Sequence, residues 1–187
     1  MSILFKFLLY LFFIFTAGYV QASEQWQLVS EKSRVDFIGK STLHDFNGTA
    51  RKLTGIFEKN VNLANGFIDV DVAGLTTDEP ERDKNMYQMF DVSRNPQIHY
   101  VFTDTDFTDI LDHHEGEIKF TGIMTIHNIS RPMTLISKGH MIGDTLICEG
   151  QMSIHLKDYG LKPPSILGII RVSDEIAVQY NIVFINK

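Results

Sequence analysis

Gly66-Phe67-Ile68-Asp69-Val70-Asp71-Val72-Ala73-Gly74-Leu75 is the stretch whose reading decides the fold class. Ile68, Val70 and Val72 alternate with Asp69, Asp71 and Ala73, so one face is wholly aliphatic and the other carries two carboxylates. Side chains reverse direction at every residue of an extended chain, so the pattern describes a strand with an apolar inner side and a wet outer one. Ile118, Phe120, Met124 and Ile126, with Gly122 on the same face, repeat it against Lys119, Thr121, Thr125 and His127. A glycine in the middle of such a face marks a bend or a close approach by another group.

Outward from these two runs the same period recurs. Strands are predicted over residues 26–29, 35–39, 50–59, 66–75, 98–104, 118–127, 133–141, 145–156 and 176–185. Ala64-Asn65-Gly66, Glu115-Gly116 and Ile142-Gly143-Asp144 are read as turns, and connections this short join antiparallel neighbours rather than parallel ones. About eight strands joined in this way suffice to close a barrel. The one segment of helical period is 81–90, where Met86, Met89 and Phe90 share a face and Asp78 and Pro80 supply a cap and a first turn. The expected fold is therefore all-β: an antiparallel barrel with one short helix near its mouth.

Residues 1–22 read as a secretory leader. Lys6 precedes the apolar run from Phe7 to Phe15, and Val20-Gln21-Ala22 fits a signal-peptidase site, leaving one domain over residues 23–187. The apolar run is shorter than the roughly 20 residues that a spanning helix needs. Cleavage there is expected to release an exported mature domain. The chain has a single cysteine, Cys148, so no internal disulfide supports the domain, and its apolar setting reads as a buried, inert thiol. A net charge of −6 without any basic cluster argues against nucleic acid as a partner.

Several pieces in order resemble the YceI-like family of exported lipocalin-like barrels. They are Ser33-Arg34-Val35-Asp36-Phe37; Thr76-Thr77 followed by Arg82-Asp83-Lys84-Asn85-Met86; Asn95-Pro96-Gln97-Ile98-His99-Tyr100; 120–127 before Arg131-Pro132-Met133; 154–161; and 172–176. The resemblance spans the mature chain and, since members of the family are typically periplasmic, implies the periplasm as the destination of export. It implies an extended barrel around an elongated apolar cavity that holds a polyisoprenoid or another long-chain lipid, such as a quinone or a fatty-acyl chain, with no cofactor. A homodimer and a transient membrane contact are compatible with it.

Choosing the more apolar side of each strand as the inner one gives the expected cavity wall. It takes Val35 and Phe37 from the first full strand, Ile68, Val70 and Val72 from the deciding stretch, and Met86, Met89 and Phe90 from the helix. Later strands add Ile98, Tyr100 and Phe102, then Phe120, Met124 and Ile126, then Met152 and Ile154, and finally Tyr180 and Ile182. Methionine adapts to a ligand of variable shape, and hydrocarbon length rather than a headgroup contact is expected to set affinity. Periodicity alone does not separate a hollow barrel from a filled one; the resemblance favours the hollow one.

Catalysis finds little support. His44-Asp45 has the residue types of a general base and its orienting carboxylate, but neighbours on an extended segment point apart and no Ser or Cys nucleophile motif accompanies them. His113-His114 lies in a polar turn without metal-ligand spacing. His127 and His155 stand on polar faces of two strands, where pairing would depend on register. Arg82-Asp83 reads as a helix-start device more than a headgroup clamp, and Pro163-Pro164 as a stiff connection. The rival readings are an enzyme acting on a bound lipid and a ligand-free interaction barrel.

Overall fold

The computed structural model describes residues 23–163, 165–166 and 170–187; the expected leader and Pro164 lie outside them. In chain order the described elements are β1 (Glu24–Leu28), β2 (Arg34–Ser41), β3 (Phe46–Ala50), β4 (Leu53–Asn60), β5 (Leu63–Asp71), β6 (Leu75–Thr76) and α1 (Pro80–Phe90). There follow β7 (Gln97–Asp106), α2 (Thr108–His113), β8 (Glu115–Ile126), β9 (Ile129–Ile142), β10 (Thr145–His155), β11 (Ser165–Ile166) and β12 (Ile170–Asn186). Antiparallel pairing runs β1-β4-β5-β7-β8-β9-β10-β12 and returns to β1, which closes an eight-stranded barrel as the alternation predicts.

The long strand β12 makes two joins. Its end pairs with β1, Leu28 opposite Phe184, and its middle pairs with β2, Val35 opposite Tyr180. From β2 the sheet extends through β3 to β6, adding wall at one end of the barrel. Two-residue turns link β8 to β9 at His127-Asn128 and β9 to β10 at Gly143-Asp144. Both His127 (φ 50°) and Asn128 (φ 60°) are left-handed, the hairpin geometry that follows the natural twist of paired strands.

Several local expectations are corrected. The run 50–59 breaks at Arg51-Lys52, and β3 precedes the break. Its polar sequence hides it, because it contributes a glycine where its neighbour contributes a ring: a Cβ on Gly48 would lie 2.1 Å from Cζ of Phe37, its partner on β2. Ala64-Asn65-Gly66 is no turn but part of β5, at a slip in register against β7; the turn is Val61-Asn62. Glu115-Gly116 lies inside β8, and β7 reaches β8 through α2, which the pattern did not suggest. In the deciding stretch the alternation stops at Asp71, whose carboxylate accepts the Ala73 N–H at 2.9 Å and folds residues 72–74 into a helical turn. Helix α1 spans the predicted segment, but Asp78 is not its cap. Its φ is +57° and it pairs with Arg51 at 2.7 Å, while Glu79 stands at the N-cap without a side-chain bond.

One end of the barrel is filled with aromatic rings. Trp26 stacks on Phe57 at 5.6 Å, and Phe57 meets Phe107 at 5.5 Å and Phe184 at 5.0 Å. Phe102 meets Phe120 edge-on at 4.9 Å. Ile110 of α2 and Ile118 of β8 are fully buried in the same cluster. Such rings dominate the area removed from water and give packing geometry beyond area alone, so this end anchors the fold.

Candidate functional site

Beyond the ring plug the barrel is hollow. A cavity of about 410 Å³ extends from Phe120 and Phe184 to a mouth between α1 and the β2–β3 connection. It is walled almost entirely by carbon. Of the residues expected there, the structure brings together Val35, Phe37, Ile68, Val70, Met86, Met89, Phe90, Ile98 and Tyr100 with Phe120, Met124, Ile126, Met152, Ile154, Tyr180 and Ile182. Two do not line it. Phe102 is fully buried inside the plug, and Val72 is buried in the helical turn that ends the alternation.

The wall also holds residues that the sequence reading did not choose. Leu135, Cys148, Ile176, Val178 and Phe184 sit at alternate positions of strands already assigned, so extending the period-two argument along β9, β10 and β12 would have found them. Phe46 and Leu43 follow from β3 and its preceding loop, where the sequence reads as polar. Leu161, after the helical turn 156–159, carries no periodic signal at all.

Polar groups meet the cavity in two places. Near the plug, Tyr100 donates to the Phe120 carbonyl at 3.0 Å, and the Tyr180 hydroxyl and Ser137 Oγ lie 2.9 Å apart. Burial pushes both tyrosines above the usual phenol range, and Cys148 beside them is pushed up to about 12 by burial, so these groups stay neutral. Gly150 makes room for the arrangement, since a Cβ there would lie 2.2 Å from the Tyr180 hydroxyl oxygen. At the mouth stand Ser41, His44, Thr77, Glu79, Glu81, Arg82 and Asn85.

Helix α1 walls the mouth because three side chains tie it down. Asp83 accepts from Thr77 N at 2.7 Å and Thr77 Oγ1 at 2.6 Å, and from Thr76 Oγ1 at 2.7 Å. Burial works against its charge, but these bonds outweigh it and hold the carboxyl below its ordinary range. Tyr87 donates to the Leu75 carbonyl at 2.6 Å, and buried Asn95 closes the helix by donating to the Phe90 carbonyl at 3.0 Å. With both Asp83 oxygens so engaged, no Arg82 nitrogen comes within 4.0 Å of them, although the arginine's charge helps to keep that carboxyl ionised; the guanidinium sits 5.1 Å from the centre of the Phe46 ring.

No group of three or more potential metal ligands exists among the described residues. His113 is the last residue of α2, with its ring nitrogen 3.3 Å from the Asp109 carbonyl, so the pair His113-His114 is a helix end rather than a turn. His127 and His155 do not pair: the first occupies a tight turn and the second lies 3.7 Å from Asp174. His99 instead bonds Asp69 on the outer face of β5 and β7. Among the described residues no helix is long and apolar enough to cross a membrane.

The chain matches the family model of the YceI-like domain over residues 26–184. Among solved structures it is similar to BcnA of Burkholderia cenocepacia, at 17% identity and TM-score 0.69, covering 83% of this chain and 98% of that one. It is also similar to a polyisoprenoid binding domain of Saccharophagus degradans implicated in plant cell wall breakdown, at 11% identity and TM-score 0.74, covering 87% and 98%. A YceI protein of Campylobacter jejuni matches at 15% identity and TM-score 0.57, covering 75% and 84%. No curated protein sequence matches.

Proposed function

The chain belongs to the YceI-like family, and on that premise we propose that it is an exported, periplasmic carrier that shields a polyisoprenoid, quinone or fatty-acyl chain from water. The observation that carries this reading is the hollow half of the barrel: about 410 Å³ lined by hydrocarbon, closed at one end by aromatic rings and bounded at the other by polar groups. Apolar cavities of about 150 Å³ take up benzene, so at roughly 25 Å³ per carbon this one accommodates about sixteen carbons. At about 0.8 kcal/mol per buried CH₂, such a tail gains roughly 13 kcal/mol, which leaves about 5 kcal/mol above the ~8 kcal/mol of micromolar binding to offset association and ordering costs. The polyisoprenoid-binding neighbour supports the same ligand class.

Leu43, 67% exposed beside the mouth, suits a transient contact with a lipid surface from which the tail is loaded. Extraction of the protein purified from cells, followed by mass spectrometry, tests the proposal. A long-chain lipid near one per molecule is expected; an empty barrel would refute a carrier role, and chemical turnover of an added lipid would make the protein an enzyme.

A further inference from the structure

We infer that Arg82 is the headgroup site of the channel and selects amphiphiles with an anionic head, carboxylate or phosphate, over neutral ones of equal length. The inference rests on the channel reading above and deepens it. The neighbouring Asp83 is the natural partner of this arginine, but both its oxygens accept bonds from Thr76 and Thr77, so it meets Arg82 only through charge and claims none of its N–H donors. Among the described residues no carboxylate oxygen lies within 4.0 Å of an Arg82 nitrogen.

What Arg82 has instead is a ring. Its guanidinium carbon lies 5.1 Å from the Phe46 centroid, and both residues line the cavity at the mouth. The ring itself is held flat over Gly39, where a Cβ would come within 2.2 Å of the Phe46 Cζ. A guanidinium resting on an aromatic face keeps its N–H edge free, and that edge presents paired donors matched to carboxylate or phosphate oxygens. The side chain is half-buried, so water screens it less than an exposed lysine.

The nearby acids do not cancel this. Glu79 and Glu81 stand at the same mouth, but both are exposed and screened by water, neither carboxylate lies within 4.0 Å of an Arg82 nitrogen, and Glu81 leans toward Lys84 at 3.9 Å. A tail running from the plug to the mouth therefore ends beside a cation whose donors the fold leaves unclaimed by carboxylate. Arg82 is not needed to hold the helix, since Asp83, Tyr87 and Asn95 do that.

The test is titration calorimetry of the delipidated protein with three probes of one length: dodecanoate, dodecyl phosphate and dodecanol. The two anions are expected to bind about tenfold tighter than the alcohol. Arg82→Met should remove that margin while still binding dodecanol, which shows that the variant's channel is intact. Arg82→Lys should keep part of it, and inorganic phosphate should displace none of the probes. Equal binding of all three by the unaltered protein, or an undiminished margin in Arg82→Met, overturns the headgroup site and leaves the channel standing. Binding of none of them overturns both.

Discussion

Replacing Val178 by Phe should shorten the hydrocarbon that the channel accepts. Val178 lies on β12 between Phe37 of β2 and Met152 of β10, faces the hollow, and is 5% exposed. The exchange adds four side-chain carbons. At roughly 25 Å³ per carbon it removes about a quarter of the 410 Å³. In a series of neutral n-alkanols, followed by displacement of the fluorescent probe N-phenylnaphthylamine, affinity of the unaltered protein should rise about two- to fourfold per carbon. The rise should level off near sixteen carbons, where the cavity is full. In Val178→Phe the slope should be the same and the plateau should come near twelve. The new ring fills empty space instead of displacing packed neighbours, so the melting temperature should not fall. A flat series, or an identical plateau in both proteins, would refute the claim that tail length is measured by this cavity.

Other perturbations separate the parts of the structure. Met124→Lys, which places an ammonium in the carbon-lined wall, should abolish lipid retention on purification, whereas His44→Ala at the exposed rim should leave it nearly intact, as read by extraction and mass spectrometry. Asp83→Ala removes the acceptor of three hydrogen bonds that pin α1 and should cost about 1–2 kcal/mol in urea unfolding. Because folding lowers the Asp83 pKa, its contribution is complete above the ordinary carboxylate range and disappears as pH falls through the lowered value; Asp83→Asn should show no such acid loss. Cys148, buried in the channel wall and pushed up to about 12, should react slowly with thiol reagents, and more slowly still with a long-chain alkanol filling the channel; a fast rate that the alkanol does not change contradicts its place in the wall. Leu43→Asp should weaken co-sedimentation with phospholipid vesicles without changing alkanol binding in solution.

The existence of most strands, the faces they bury and the existence of α1 follow from period, and of the three turns read from the sequence only the one at Gly143-Asp144 holds. Ile68 and Val70 face inward because Asp69 between them and Asp71 after them are carboxylates, and no tertiary contact is needed to say so. The reading faltered where a residue's role depends on what lies across from it. The polar run Asn47-Gly48-Thr49 is a strand because Phe37 of β2 covers its glycine, and the glycines at 66 and 116 lie in strands, one opposite Phe57 and the other opposite Gly139, rather than making turns.

Sequence periodicity settled that one side of a closed sheet would be oily, since a two-residue repeat assigns each side chain to a face irrespective of its partners. Height along the barrel axis is another matter. Phe102 and Tyr100 share a face of one strand, yet the first ends in a stack of rings and the second at a cavity wall, because strand register and tilt decide which side chains meet across the middle. The same holds for Arg82, whose neighbour in the chain is Asp83 and whose neighbour in space is Phe46. Only the folded arrangement, in which Thr76 and Thr77 claim the carboxylate first, leaves that cation facing the mouth.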